Sequence, residues 1–349
     1  MEWLETEAVL TLEYSKVSGG GLRSDSALLA NVDLTLAIDT EAAGLWAGGN
    51  AFFYILGNDG RGGPPSALVG DVQGTSNIEA PDTWKLYEAW YEHRFFDGYF
   101  SLLGGLHDYN GEFDVLEYGQ LFTNSSFGIG PDISQVGPSI FPTTALGLRL
   151  RMELSPSSYL LAAAYDGVPG DPDNVNRKQL SFAQDDGQFY ALELGITGGA
   201  ERYYKLAIGG WYRSDFADFA GREKHNSGTY LLAECATWEG GPGLFLRVGT
   251  AHDRRNQVES YVGAGFNWMG LVPGRPDDSF GAAFAYAGFG DEYLDRPANA
   301  ESAVEFTYLA EIHERIALQP FLQLVFDPGS EPDIDDAVVL GLRVSITLW

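Results

Sequence analysis

The sequence predicts an all-β fold: a transmembrane antiparallel up-and-down β-barrel of sixteen strands, formed by residues 1–349 as a single domain. Three observations predict it. Apolar and polar residues alternate with period two along most of the chain, which sorts them onto opposite faces of a strand. The alternating segments run about ten to thirteen residues, longer than the roughly five or six of soluble sheets and near the roughly nine to eleven of a tilted membrane strand. The connections between them alternate short and long, as in a barrel with turns at one rim and loops at the other.

The first segment, near 8–17, sets Leu10, Leu12 and Tyr14 against Thr11, Glu13 and Ser15. The second, near 27–39, is the clearest. Ala30, Val32, Leu34, Leu36 and Ile38 oppose Asn31, Asp33, Thr35, Ala37 and Asp39. The short turn DTEAAG leads to a third segment near 46–57, and the long connection 58–82 leads to segments near 83–95 and 98–108, joined by FDG. Connection 109–142 is the longest. Segments near 143–154 and 157–166 follow, joined by SPS; in the first, Leu146, Leu148, Leu150, Met152 and Leu154 oppose Gly147, Arg149, Arg151 and Glu153. A third long connection, 167–187, precedes segments near 188–197, 202–213, 227–238 and 243–252. The alternation of lengths is imperfect here. HDRRN at 252–256 is short where a loop is expected, and GLVPGRPDD near 270–278 is long where a turn is expected. The last segments lie near 257–269, 278–288, 301–312, 315–327 and 335–348, ending with Leu340, Leu342, Val344, Ile346 and Leu348 opposite Gly341, Arg343, Ser345 and Thr347.

Composition narrows the function classes. Acidic side chains number 49 against 21 basic ones, a net charge of −28, which excludes nucleic acid as a partner because phosphate binding needs clustered Lys and Arg. With 45% apolar and 20% charged residues the chain is not a disordered acidic tail. The single cysteine, Cys235, excludes an internal disulfide and a zinc site. No apolar run approaches the roughly 18 residues of a membrane helix, the longest being YLLAAAY at 159–165. Met1 is followed by Glu2, Glu5 and Glu7 rather than a basic, then apolar leader, so either a leader has been removed or the compartment is cytosolic. The mean hydropathy of −0.12 resembles that of a soluble protein, but it averages two faces with opposite requirements.

Those faces point to a water-filled barrel. Sixteen strands enclose more space than side chains fill. Asp33, Glu88, Glu92, Arg149, Arg151, Glu193, Arg247, Glu305 and Arg343 fall in mid-strand. A dry core would have to pair each of them at several kcal/mol per ion, so a wet lumen is expected to hydrate them. The opposite faces carry aliphatic residues with Tyr or Trp near strand ends, the pattern of a lipid-facing belt and its aromatic girdles. A soluble propeller or solenoid would need a fixed-period repeat, which the sequence lacks.

Two stretches go beyond pattern: LLGGLHDYNGEFDVLEYGQLFTNSSFGIGPDISQVGPSIFPTTALGLRLR at 102–151 and AAYDGVPGDPDN at 163–174. Together they resemble the OprB-type carbohydrate-selective porins of Gram-negative outer membranes. WYEHRFFDG (90–98), GRPDDSFG (274–281) and DAVVLGLRV (336–344) extend the similarity over most of the chain. The resemblance implies passive diffusion of monosaccharide-sized sugars without a cofactor. The partners it implies are small sugars, outer-membrane lipid and lipopolysaccharide, and the barrel assembly machinery, with the barrel a monomer or a trimer. It also implies that loops from one rim fold into the pore. The residues agree: Phe113, Leu121, Phe122, Phe127, Ile129, Ile140 and Phe141 make 109–142 too apolar for an exposed loop, and a barrel wall would cover them.

In the family a Glu of the first strand and an Arg of the loop after the third strand line the narrow zone. By position these resemble Glu13, in LTLEYS, and Arg61, in GNDGRGG; a solvated loop charge is the competing reading of Arg61. Arg149, Arg151, Glu88 and Glu92 are expected as lumen-wall residues with a secondary influence on selectivity. Carboxylates accept from hydroxyls and guanidinium forks donate to them, which suits a neutral polyol that must also be released. Two departures from the family are visible. The segment that precedes the first strand in the family has no counterpart here, from which the resemblance leads one to expect a truncated or engineered start at Met1, and the terminal Trp349 is one residue out of step with Leu348, Ile346 and Val344.

A cation-preferring general diffusion porin is the alternative, because −28 biases a pore toward cations where those charges face the lumen. A soluble all-β carbohydrate-binding protein or hydrolase is the more distant rival, and no GxSxG motif supports it. His93, His107, His225, His252 and His313 show no metal-ligand spacing. Asp171, Asp173 and Asn174, like Asp333, Asp335 and Asp336, are incomplete beside a calcium loop.

Overall fold

The computed structural model describes residues 3–170, 187–199, 202–217, 221, 223–290, 293 and 300–349. Its strands are β1 (Leu4–Gly19), β2 (Ser26–Asp39), β3 (Gly49–Arg61), β4 (Thr83–Phe95), β5 (Phe100–His107), β6 (Ala145–Ser155), β7 (Ser158–Asp166) and β8 (Gln188–Gly198). They continue as β9 (Tyr204–Ala217), β10 (Glu223–Ala236), β11 (Gly243–Ala251), β12 (Val258–Met269), β13 (Ser279–Phe289), β14 (Ala300–His313), β15 (Ile316–Phe326) and β16 (Ala337–Thr347). Each pairs antiparallel with its chain neighbours, and β16 pairs with β1, so the sheet closes into one sixteen-stranded barrel without edges.

The alternation of residue types sets which side each residue takes. On β2, Leu28 is exposed on the outer surface while Ala27, Leu29 and Asn31 are buried within. On β6, Leu148 and Leu154 lie exposed outside and Ala145 and Arg149 are buried inside. Exposed aromatics gather toward the two rims: Tyr14, Trp84, Tyr190, Tyr212 and Tyr286 toward the long-loop side, and Trp46, Phe96, Tyr99, Tyr204, Trp238 and Trp349 toward the turns. An apolar belt between two aromatic girdles is the outer surface that a bilayer requires.

A mid-strand bulge in β4 breaks the alternation. In the β3–β4 pairing Tyr54 faces Glu88 and Ile55 faces Leu86, which leaves Tyr87 as the extra residue. A bulge of this kind re-aims side chains. Thr83, Lys85 and Tyr87 are buried before it, and Glu88, Trp90 and Glu92 take the inner face after it.

The unexpectedly long turn between β12 and β13 is an ordered clamp. Arg275 donates to both Asp278 oxygens at 2.7 Å and to the Glu311 carbonyl at 2.9 Å, and Tyr308 also donates to Asp278. The guanidinium of Arg275 beside it holds the Asp278 carboxyl below the usual carboxylate range.

Candidate functional site

The segment between β5 and β6, residues 108–144, crosses the inside of the barrel. Tyr109, Phe113, Leu116, Phe122, Phe127 and Ile133 pack against inward side chains of the wall, among them Tyr165, Phe189, Trp211, Phe245 and Tyr261. That contact dries one side of the lumen and corrects an expectation from the sequence. Glu193, Arg247 and Glu305 are not hydrated by a wet channel: they are 0%, 1% and 0% exposed.

Each of these charges holds the segment in place. Glu193 accepts the Asp114 N–H at 2.9 Å and the hydroxyls of Tyr159 and Tyr230, each at 2.6 Å. Glu234 accepts the Glu117 and Tyr118 N–H groups at 3.0 and 2.8 Å. Glu305 accepts the N–H groups of Thr123 and Asn124, each at 2.8 Å, and the Thr123 hydroxyl at 3.0 Å. Arg247 donates to Asp114 through Nε at 2.8 Å and Nη2 at 2.7 Å, and to Asp132 through Nη1 at 2.7 Å. Gly130 and Gly249 make room for that cluster, since a Cβ at either would lie 2.2 Å from Arg247 Nη1 or 2.1 Å from Asp132 Oδ2. A loop buried away from water must satisfy its backbone donors, and the strand carboxylates do so.

The connection between β3 and β4 also turns inward, carrying a short helix, α1 (Pro65–Val69). Glu301 of β14 anchors it by accepting from the Val72 and Gln73 N–H groups at 2.9 and 3.0 Å, and also accepts from Gly329 N–H of the β15–β16 connection at 2.7 Å. Glu79 of the same connection accepts the Ser66 N–H at 2.9 Å and the Ser66 hydroxyl, and burial pushes its carboxyl above the usual range.

Between the two inward segments and the β1–β3 and β16 wall lies an upper cavity of about 460 Å³. Its polar lining includes Asp33, Tyr54, Asn77, Glu79, Asn110 and Arg343; Ile129, Ile140 and Phe141 supply an apolar side. Arg343 stands directly across the β1–β16 pairing from Glu13. Its Nε and Nη2 donate to Glu13 Oε2 at 2.9 and 2.6 Å, and Nη2 donates to Asn77 Oδ1 at 2.7 Å. Glu13 is fully buried and also accepts the Ser15 hydroxyl at 2.9 Å, so it fixes the guanidinium from behind.

Below the inward segments, toward the turn rim, is a second cavity of about 610 Å³. Glu88, Glu92, Arg149 and Arg151 all line it. Arg149 donates to Glu92 at 2.9 Å, to the Ser101 hydroxyl at 2.6 Å and to both oxygens of Glu112 at 2.5 and 2.8 Å. Its guanidinium is therefore consumed in tethering Glu112 of the inward segment to the wall.

The structure thus gathers the four expected wall residues in one cavity and places Glu13 behind another. Arg61 is not brought to either. It ends β3 within the sheet, paired with Leu28 on the outward side and exposed at the loop rim. Arg343 and Asp33, legible in the sequence only as mid-strand charges, both line the upper cavity. The pairing of β1 with β16 joins the two ends of the chain, and local periodicity carries no trace of it. Among the described residues no group of three or more His, Cys, Asp or Glu is placed to hold a metal ion. Asp171, Asp173 and Asn174 lie outside the described residues.

Comparison with known proteins follows the same lines. A family model described as "Carbohydrate-selective porin, OprB family" matches residues 23–348. Porin B of Pseudomonas aeruginosa is 22% identical over 338 residues, covering 83% of this chain and 73% of that protein. The structure described as the high pH structure of Pseudomonas putida OprB superposes with a TM-score of 0.88 at 18% identity, covering 99% of this chain and 94% of that one. The outer membrane channel DcaP of Acinetobacter baumannii gives a TM-score of 0.59 at 10% identity, covering 99% and 97%.

Proposed function

Because the chain belongs to the OprB family of carbohydrate-selective porins, we propose that its solute path runs through the upper cavity, where the two inward segments meet the β1–β3 and β16 wall. The protein is a sugar porin of the Gram-negative outer membrane. By the usual orientation of such barrels the long loops face outward and the turns face the periplasm. Monosaccharide-sized sugars then enter from the loop rim and diffuse down their gradient without chemical change.

The lining of the upper cavity is the observation that supports this reading. Arg343 presents a guanidinium that Glu13 and Asn77 hold by Nε and Nη2, leaving Nη1 for a solute. Asp33 and Glu79 accept hydroxyls, and the oxygens of Tyr54, whose hydroxyl donates to Asp33, and of Asn110, whose amide N–H groups bond loop carbonyls, can accept as well. Ile129, Ile140 and Phe141 offer an apolar surface to the CH face of a pyranose. Arg343 takes the guanidinium role that family position suggested for Arg61. The inward segments set the width, and residues 109–142 are the constriction loop. Few contacts, each exchangeable with water, let a sugar bind and leave.

Liposome swelling tests the proposal. Reconstituted protein is expected to admit glucose faster than a charged solute of similar size. Equal rates for both would remove the case for a sugar-selective path.

A further inference from the structure

The lower cavity holds a feature that the upper path does not explain. Phe52 of β3 and Trp90 of β4 pair directly across the sheet on its inner face. Their rings stack with centroids 5.1 Å apart and planes at 27°. Neither ring belongs to the dry core under the inward segments, and neither reaches the lipid. Both remain half-buried, facing the lower cavity. An aromatic pair facing water on a lumen wall lacks the reason that places Tyr and Trp in the lipid-side girdles.

The surrounding polar groups are matched to hydroxyls. Trp90 Nε1 donates to Glu88 at 3.0 Å, which fixes the plane of the indole. Arg149 is committed to Glu92 and Glu112, and Arg94 and Arg151 each donate one Nε bond, to Glu92 and Glu153, but Arg94 and Arg151 keep 58% and 35% of their side-chain surface exposed. Glu153, at 41%, is an accessible acceptor. Guanidinium forks and carboxylates around an apolar ring face recognise a neutral polyol whose CH groups pack on the aromatic surface. The volume of about 610 Å³ lies within the roughly 300–1,000 Å³ of small-molecule sites.

We propose that the Phe52–Trp90 pair, with Glu88, Arg94 and Arg151, forms a second pyranose subsite on the turn side of the constriction, where a sugar that has passed the inward segments pauses before release. The proposal rests on the reading of this barrel as a sugar pore. Two weak sites in series suit conduction, because a solute leaving the first is caught before it returns.

The test is single-channel block by glucose added to either side of a planar bilayer, compared among wild type, Trp90→Ala, Phe52→Leu and Trp90→Phe. Trp90→Ala and Phe52→Leu are expected to shorten glucose residence roughly three- to tenfold, the range of an aromatic contact. The loss should be larger for sugar added from the turn side. Trp90→Phe, which keeps a ring but loses the bond to Glu88, is expected to retain most of the block. Sugar-free conductance reports whether each variant still forms channels, and Phe52→Leu carries the test if Trp90→Ala does not. Unchanged residence in the channel-forming variants, or equal losses from both sides, would overturn the subsite. Absence of glucose block in the wild type would instead overturn the sugar path itself.

Discussion

At the scale of single residues, Arg343 owes its orientation to its neighbours. A lone arginine at a pore wall samples many rotamers, whereas this one is gripped by Nε and Nη2 between Glu13 and Asn77. The planar fork is what makes that grip directional, so Arg343→Lys replaces an oriented donor with a point charge. Arg343→Ala is expected to weaken glucose block of single-channel current by about tenfold or more, since a hydrogen bond to a charged group contributes about 1.5–3 kcal/mol. Arg343→Lys should fall between. Arg61→Ala should leave the sugar titration unchanged, because Arg61 shares the outward side with Leu28. A loss of block in Arg61→Ala equal to that in Arg343→Ala would return the guanidinium role to the rim.

At the scale of elements, the inward segment 108–144 behaves as a second lining strapped to the wall. Its aromatic residues supply the area and the strand carboxylates supply the register. Glu193 and Glu305 take backbone N–H groups that would otherwise be buried without partners, and Glu234 holds the Glu117 and Tyr118 N–H groups at a partly buried point. Glu305→Ala removes the acceptor for three donors at once, each worth about 1–3 kcal/mol when left unsatisfied in a buried site. The expected result is a lower thermal midpoint together with noisier, larger open-channel currents, while Glu305→Gln keeps an acceptor and is milder. Unaltered current noise in Glu305→Ala would mean that apolar packing alone holds the segment.

At the scale of the whole molecule, the charge of −28 overstates the field that an ion meets. Glu193, Glu234, Glu301 and Glu305 are buried against the inward connections rather than exposed to the lumen, and Asp114 and Asp132 are paired with Arg247. Glu13 is spent on Arg343. What remains beside the path is a mixture of Asp33 and Glu79 with Arg343, and of Glu88 and Glu153 with Arg94 and Arg151. Reversal potentials across a salt gradient should therefore show a modest cation preference that fades as salt screens the surface charges. Strong cation selectivity that survives high salt, with no sugar block, would favour a general cation pore.

The sequence by itself determined the barrel. Sixteen alternating segments fall within a few residues of the sixteen strands, because lipid outside and polar contents inside impose period two on every one of them. It also determined that 109–142 needs a wall, since Phe113, Phe122 and Phe127 cannot remain in water. Tertiary structure alone decided what the inner charges do. Periodicity states that Glu305 or Arg247 faces inward, but not whether water or a folded segment meets it there, and that depends on contacts between residues more than a hundred positions apart. The same holds at the upper cavity. Glu13 and Arg343 lie at opposite ends of the chain and meet only because the last strand closes on the first.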